Sequence, residues 1–127
     1  MKRAPRRSIA TLLLSGCMLA PMSAKALPPK NVAAEINYLL NFMGTSGCEF
    51  YRNGSWYSSV SAQAHLRDKY LYFAARNLIS TAEEFIEKAA TKSSFSGLAY
   101  AVKCRSEAEV SSKLWLNQVL VQSRTYE

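Results

Sequence analysis

His65 is the only histidine of the chain, and Lys69 follows it by one turn of a predicted helix. Side chains four residues apart share a helix face, so the imidazole and the amine can contact the same ligand. Because histidine titrates near neutral pH, His65 can act as a general base or bind an anion. The structural alternative is a ring that bonds a backbone carbonyl and packs on a sheet.

Three serines, Ser93, Ser94 and Ser96, form a second group of reactive side chains. A serine nucleophile needs an oriented base and an oxyanion hole, and the chain lacks the Gly-x-Ser-x-Gly motif that exposes such a serine on a tight turn. Serines between a helix and a strand more often bond free backbone groups. We therefore assign no catalytic residue and expect either a plain loop or a loop that binds a polar ligand.

The third group surrounds Asn53-Gly54, a dipeptide that favours a two-residue hairpin turn because both positions accept positive φ. Arg52 can bind a carboxylate or phosphate through two N–H groups. Alternatively, it is an exposed cation or pairs with a glutamate. Trp56 and Tyr57 are the aromatic side chains most expected to be exposed, where they would contact a protein or stack on a sugar.

The cysteines of the chain are Cys17, Cys48 and Cys104. We expect Cys48 and Cys104 to form a disulfide, because two thiols in an oxidising compartment pair. Two cysteines and a lone histidine are too few for a structural zinc site. The sequence therefore predicts no metal and no other cofactor.

The first 26 residues have the order of a secretory signal peptide. A basic start is followed by an apolar run over residues 9–20 and by a small-x-small cleavage site, Ala24-Lys25-Ala26. The apolar run is shorter than the roughly 20 residues of a transmembrane helix. We expect cleavage after Ala26 and a periplasmic protein. Residues 14–17 also form a lipobox, so the alternative is an outer-membrane lipoprotein acylated at Cys17.

The net charge of +7 comes mostly from this leader. Five of the 16 lysines and arginines precede residue 27, which leaves 11 basic and 9 acidic side chains beyond it. A nearly balanced domain does not predict a nucleic-acid partner. The expected partner is an envelope protein or a cell-wall component, and a membrane only if Cys17 carries lipid.

Residues 27–127 are predicted to form a single small α+β domain. Apolar spacing and capping residues predict about four helices, over residues 31–43, 59–77 and 81–91 and from residue 112 onward. Ser80 and Glu83 have the spacing of a capping box for the third helix.

A hairpin that begins at Cys48 and a strand over residues 98–103 are predicted to form a small three-stranded sheet, antiparallel or mixed. A Cys48–Cys104 disulfide would join this strand to the hairpin. Within the hairpin, Phe50 and Arg52 are expected to share one face, because side chains alternate along a strand.

Four segments occur in a distinctive order: Arg52-Asn53-Gly54, His65-Leu66-x-x-Lys69, Thr81-Ala82-Glu83-x-Phe85-Ile86 and Ser93-Ser94-x-Ser96-Gly97-x-x-Tyr100-x-Val102. Over roughly residues 31–122 they resemble the YfeK-like family of small exported bacterial proteins. The resemblance implies an envelope location and a compact fold. The family is one of unknown function, so it supplies no catalytic residues.

Together these features favour a non-enzymatic periplasmic protein that binds an envelope protein or a cell-wall ligand. Its role would be that of an inhibitor, an immunity protein or an accessory subunit. The predicted binding residues are Arg52, Asn53, Trp56, Tyr57, His65, Lys69, Ser94 and Ser96. One alternative is a small envelope enzyme acting on a cell-wall polymer, with His65, Lys69 and a serine in one pocket. Another is a lipid-anchored outer-membrane scaffold.

Overall fold

A computed structural model describes residues 2–5, 15–19 and 30–126. The predicted signal peptide therefore lies largely outside the described residues, and its cleavage site, Ala24-Lys25-Ala26, lies wholly outside them. Cys17 is described; it is exposed and forms no disulfide. Among the helices that the structure describes, none is both long and apolar enough to cross a membrane.

Helices and strands are mixed along the described domain, which confirms the α+β class and the four predicted helices. In chain order the elements are α1 (Lys30–Thr45), β1 (Glu49–Arg52), β2 (Ser55–Ser58), α2 (Ser59–Ala74), α3 (Ala82–Ala89), β3 (Ala101–Lys103), β4 (Val110–Ser111) and α4 (Ser112–Thr125).

Helix α1 forms because its apolar side chains recur at helical spacing. The side chains on this face are Val32, Ile36, Leu39, Leu40 and Met43, and each is at most 7% exposed. Their burial against the rest of the domain agrees with the face predicted for residues 31–43. The helix continues two residues beyond that prediction.

Hydroxyl side chains cap the other three helices: Ser58 for α2, Thr81 for α3 and Ser111 for α4. Each accepts a hydrogen bond from the backbone N–H three residues later, which satisfies a donor that has no partner within the helix. A small number of side chains thus sets the start of each helix.

The cap of α3 lies one residue later than predicted. Because α3 begins at Ala82, Thr81 is the cap and Glu84, rather than Glu83, occupies the third helical position. The Glu84 carboxylate accepts a hydrogen bond of 2.7 Å from the backbone N–H of Ser80. The predicted pair Ser80 and Glu83 was therefore wrong, although the helix is where the pattern placed it.

Helices α2 and α3 end earlier than predicted. Helix α2 ends at Ala74, and Asn77 beyond it has a φ of 54°, the left-handed conformation that asparagine tolerates. Helix α3 ends at Ala89, where the Thr91 hydroxyl donates to the carbonyl of Ile86 at 2.8 Å. Such a bond competes with the regular helix ladder.

The sheet is antiparallel throughout, with the strand order β2-β1-β3-β4. A two-residue turn joins β1 to β2, so that Arg52 lies opposite Ser55. Both turn residues, Asn53 at 49° and Gly54 at 87°, have positive φ, as a type I′ turn requires. The predicted hairpin is confirmed.

The prediction of three strands was wrong, because β4 is a fourth. It consists of Val110–Ser111 alone and pairs with β3. Two residues are too few to show the alternation that identifies a strand, and Ser111 also caps α4. Strand β3 covers Ala101–Lys103, half of the predicted residues 98–103.

The residues before β3 turn back towards the end of α3 instead of extending the strand. Ala99 forms an isolated antiparallel bridge with Lys92, and the N–H of Tyr100 donates to the carbonyl of Thr91 at 2.9 Å. These contacts close a short segment over residues 92–97, here called the serine loop. They also fix Tyr100 immediately before β3.

In the described domain, one apolar core lies between the helices and the sheet. Phe50 of β1, Val102 of β3 and Phe85 of α3 are all buried in it. The Cys48–Cys104 disulfide joins the residue before β1 to the residue after β3, with a Cα–Cα distance of 4.3 Å. The predicted disulfide is confirmed, and it holds together the ends of the two central strands.

Removing this disulfide is expected to destabilise the domain strongly. The bond joins residues 56 apart in sequence, for which loop entropy gives up to about 4 kcal/mol. We expect Cys48→Ala/Cys104→Ala to lose free energy of unfolding of this order in urea denaturation. Ser106→Ala is the matched control, because Ser106 is exposed in the turn after Cys104 and lies outside the disulfide. A double variant as stable as this control would contradict the prediction.

Candidate functional site

Helix α2 places His65 and Lys69 at the edge of the core. Leu66 is the buried residue of this helix, and the neighbouring His65 and Lys69 are half-buried. Arg52 ends β1 and Tyr100 precedes β3, so the pairing of these two strands brings both side chains to the same place. We call Arg52, His65, Lys69 and Tyr100 the cationic cluster.

The contact between Arg52 and His65 determines where the histidine proton lies. Arg52 Nη1 is 2.8 Å from His65 Nδ1. A guanidinium donates and does not accept hydrogen bonds, so Nδ1 is the acceptor. The proton of the neutral ring is then on Nε2, which donates to the hydroxyl oxygen of Tyr100 at 3.3 Å. Side chains thus occupy both ring nitrogens, in place of the backbone carbonyl that the structural alternative requires.

Lys69 extends the network from the same helix. Its amine donates to the Tyr100 hydroxyl oxygen at 3.2 Å and to the carbonyl of Lys92 at 3.1 Å. The Tyr100 oxygen therefore accepts from both His65 and Lys69, which leaves its own O–H as a donor. One N–H of Lys69 and several of Arg52 also remain, so the cluster offers donors to a ligand.

Burial and mutual charge shift the pKa values of the cluster. Burial lowers the pKa of His65; the charges of Arg52 and Lys69 lower it further, and Asp68 opposes them. Burial, and then the charge of Arg52, lower the pKa of Lys69 to about 8. Burial raises the pKa of Tyr100 against the effect of Arg52. At neutral pH the cluster thus has a neutral imidazole, a phenol and two cations.

The cationic cluster lines an open cavity of about 580 Å³, here called the outer cavity. Its other walls come from α2, from the hairpin turn and from the serine loop: Asn53, Asp68, Tyr72, Phe73, Ser93, Ser94 and Phe95. The rim is partly apolar, since Phe95 is 99% exposed and Tyr72 is also exposed. The outer cavity therefore combines positive charge with exposed aromatic surface.

A second cavity of about 190 Å³, the inner cavity, shares Arg52, His65 and Tyr100 with the outer one. Its other lining residues include buried apolar side chains of the core and residues of β2 and α2, namely Met43, Phe50, Tyr57, Ala62 and Leu66. The two cavities thus meet at the cationic cluster.

The serine loop is held in shape by its own side chains. Ser93 is buried, and its hydroxyl oxygen accepts from the N–H groups of Phe95 and Ser96 at 3.2 Å each. The Ser96 hydroxyl donates to the side-chain oxygen of Asn53, which ties the loop to the hairpin turn. Ser94 is exposed and lines the outer cavity. Within the described residues no serine hydroxyl bonds His65, so no serine here has an oriented base.

The two hairpin aromatics separate onto different faces. Tyr57 is half-buried, lines the inner cavity and lies under the Arg52 guanidinium, whose carbon is 4.8 Å from the ring centre. Trp56 is 40% exposed, packs edge-on against Tyr51 and lines neither cavity. The structure therefore brings together the predicted site residues of the hairpin, α2 and the serine loop, with Trp56 apart from them.

Sequence reasoning did not include Tyr100, Asp68 or Phe95 in the site. Tyr100 lies in the predicted strand over residues 98–103, where a tyrosine is usually a core residue. Asp68 follows His65 by three residues and therefore shares a helix face with it, which was the available signal for its place beside the histidine. Phe95 lies between two serines of a polar loop. An aromatic residue in such a loop indicates exposed apolar surface at the rim of the cavity.

Two other cations of the described domain, Arg124 and Lys113, pair with carboxylates. Arg124 bonds Glu35 and Glu83, and Lys113 pairs with Glu87 at 2.5 Å. Within residues 30–126 neither Arg52 nor Lys69 forms an ion pair. In the same part of the chain, no group of three or more His, Cys, Asp or Glu side chains is placed to hold a metal ion.

A model of the family of unknown function DUF5329 matches residues 30–124, nearly the whole described domain. This chain belongs to that family. It is also similar to the uncharacterized protein YfeK of Salmonella typhimurium, at 41% identity over 68 residues. The match covers 53% of this chain and 55% of that protein, so the chain spans about half the length of this relative. No solved structure matches the chain. The YfeK-like resemblance is confirmed, and neither description states an activity.

The surroundings of His65 predict a lowered pKa for its imidazole, which NMR can measure. We expect NMR of its ring protons to give a pKa below the ordinary 6.5. In Arg52→Gln the pKa should rise, because a nearby positive charge has been removed. Arg67→Gln is the matched control, since Arg67 lies on the same helix but outside the cluster. A wild-type pKa at or above 6.5 would contradict the arrangement.

The same shift makes stability depend on pH. Because the pKa of His65 is lower in the folded state, the unfolded chain binds more protons between the two pKa values. The contribution of His65 is therefore complete above about pH 6.5. This contribution to the free energy of unfolding declines as the pH falls towards the pKa of His65 in the folded state. His65→Gln should lose this part of the pH dependence in urea denaturation.

Proposed function

We propose that this protein is a non-enzymatic periplasmic protein that binds an envelope protein or a cell-wall ligand through the outer cavity. The observation that carries the proposal is the pair of cations, Arg52 and Lys69, which lack an ion-pair partner among the described residues and face an open cavity. Within a domain that pairs Arg124 with two glutamates, this arrangement favours a site for an external anion.

The hydrogen-bond inventory of the cluster supports an anionic ligand. Arg52 and Lys69 only donate, and Tyr100 already accepts two hydrogen bonds. A carboxylate or phosphate accepts several such bonds at once, and bonds between charged groups are the stronger ones. Asp68 is the acidic lining residue, and it is exposed. The other side chains that line the outer cavity are positively charged or uncharged. Most of the cavity wall therefore suits a negatively charged ligand.

The exposed aromatic rim supports a macromolecular partner. Phe95 and Tyr72 project beside the cationic cluster, and aromatic residues next to arginine are common at the centre of protein interfaces. Trp56 adds exposed aromatic surface on the hairpin. An inhibitor, an immunity protein or an accessory subunit would use such a surface to hold an acidic or carboxyl-bearing partner.

The periplasmic location rests on the leader and on the disulfide. A basic start, an apolar run and a small-x-small site form the expected export signal. The Cys48–Cys104 bond is of a kind that persists in oxidising compartments. The nearly balanced charge beyond residue 27 argues against nucleic acid as the partner.

A small envelope enzyme acting on a cell-wall polymer is the second candidate. It is favoured by one observation, that His65, Lys69 and Ser94 line the same cavity. The contacts of His65 oppose it, because Nδ1 accepts from Arg52 and Nε2 faces Tyr100 rather than a serine. A base whose nitrogens are both occupied does not activate a hydroxyl nucleophile, so binding is the better-supported function.

Anion binding tests the proposal directly. We expect inorganic phosphate or acetate, added to the full chain, to shift the NMR signals of His65, with affinity at least about 10-fold weaker in Arg52→Ala and Lys69→Met. Capture of a partner from envelope extract should decrease in the same variants. Arg67→Ala is the matched control on α2. Unchanged binding in both cluster variants, or hydrolysis of cell-wall material that needs His65, would overturn the proposal.

The lipid-anchored scaffold is the remaining alternative, and it makes a different chemical prediction. Cys17 is exposed and outside the disulfide, so it is chemically available for acylation. We expect mass spectrometry of the protein from cells to find Leu27 as the first residue. A diacylated Cys17 at the N-terminus would contradict free diffusion in the periplasm and place the protein at the outer membrane.

A further inference from the structure

The two cavities meet at one charged group. Arg52 lines both of them. Its guanidinium bonds His65 on one side and lies over the ring of Tyr57, an inner-cavity residue, on the other. The positive charge therefore stands at the junction between an open, donor-lined space and a smaller, mostly apolar one.

The inner cavity has the size and lining of a pocket for one small apolar group. Met43, Phe50 and Leu66 form its buried apolar surface, each at most 5% exposed, and the buried Ser112 adds a polar side chain. Its volume is about 190 Å³. An apolar cavity of about 150 Å³ in another protein holds benzene. A phenyl ring or a branched aliphatic group therefore matches the inner cavity, whereas a larger group does not.

We propose that the two cavities form one bipartite site for a small amphipathic anion. Its carboxylate or phosphate accepts hydrogen bonds from Arg52, Lys69 and Tyr100, and its apolar group, a few bonds away, fills the inner cavity. This inference rests on the proposed function and adds the class of ligand. Two sources share this chemistry: the C-terminal residue of a peptide with an apolar side chain, and a free alkyl or aryl acid.

The test compares probes that differ in one part, using the full chain and calorimetry or NMR. Acetate carries the charge alone, phenylacetate carries both parts, and phenylacetamide carries the ring without the charge. Burial of a phenyl-sized group should make phenylacetate bind about 10- to 100-fold more tightly than acetate. Phenylacetamide should bind more weakly than phenylacetate, because it lacks the anion.

A variant that fills the inner cavity tests the apolar part of the site. Ala62 lines the inner cavity and is half-buried on α2, so Ala62→Leu should remove the preference for phenylacetate and retain acetate binding. Ala64→Leu is the matched control, because Ala64 is exposed on the same helix and lines neither cavity. If Ala62→Leu does not fold, the comparison of acetate, phenylacetate and phenylacetamide on the unmodified chain still tests the bipartite site.

The outcomes separate this inference from the proposed function. Equal affinity for acetate and phenylacetate, with both lost in Lys69→Met, overturns the bipartite site and leaves anion binding intact. Failure of every anion to bind overturns both. N-acetylphenylalanine, compared with phenylacetate, then distinguishes the sources. Tighter binding of N-acetylphenylalanine assigns a peptide C-terminus, and tighter binding of phenylacetate assigns a free acid; each supports the bipartite site.

Discussion

The alternation of side chains along β1 is the constraint on which the rest of the structure depends. β1 pairs with a strand on each side, and the disulfide lies at its start. Since residues two apart leave the same face of a strand, Phe50 and Arg52 point the same way. Phe50 enters the core. Arg52, at the end of the strand, reaches past the core edge to His65. The same two-residue alternation along β1 thus places Phe50 in the core and the Arg52 guanidinium beside His65.

That guanidinium then determines the hydrogen bonds around it. Because it only donates, His65 must accept at Nδ1 and donate at Nε2, and Tyr100 must accept from both His65 and Lys69. A histidine held neutral in this way positions a phenol and does not serve as a free base. The chemistry of the site follows from one strand position, which is why a search for nucleophile and base in the sequence does not find it.

Local signals were sufficient for much of the fold and failed where structure depends on distant partners. Asn53-Gly54 predicts its turn because positive φ is a property of those two residues, and hydroxyl caps mark the starts of three helices. Strand β4 could not be predicted, since its two residues are a strand only by pairing with β3. Trp56 lies beside the turn in sequence but opposite Tyr51 across the hairpin, so the same alternation that brings Tyr57 to Arg52 takes Trp56 away.

The electrostatics of the domain support the proposed anion site. At Arg124 the fold supplies two carboxylates, Glu35 and Glu83, for one cation. At the cationic cluster it instead keeps two cations close enough that Arg52 helps to lower the pKa of Lys69 to about 8. This arrangement opposes folding, because burial and like charge both penalise the protonated amine. An anion bound between Arg52 and Lys69, as the proposed function requires, would reverse the charge part of that penalty. Departures from local stability of this kind are expected at functional sites.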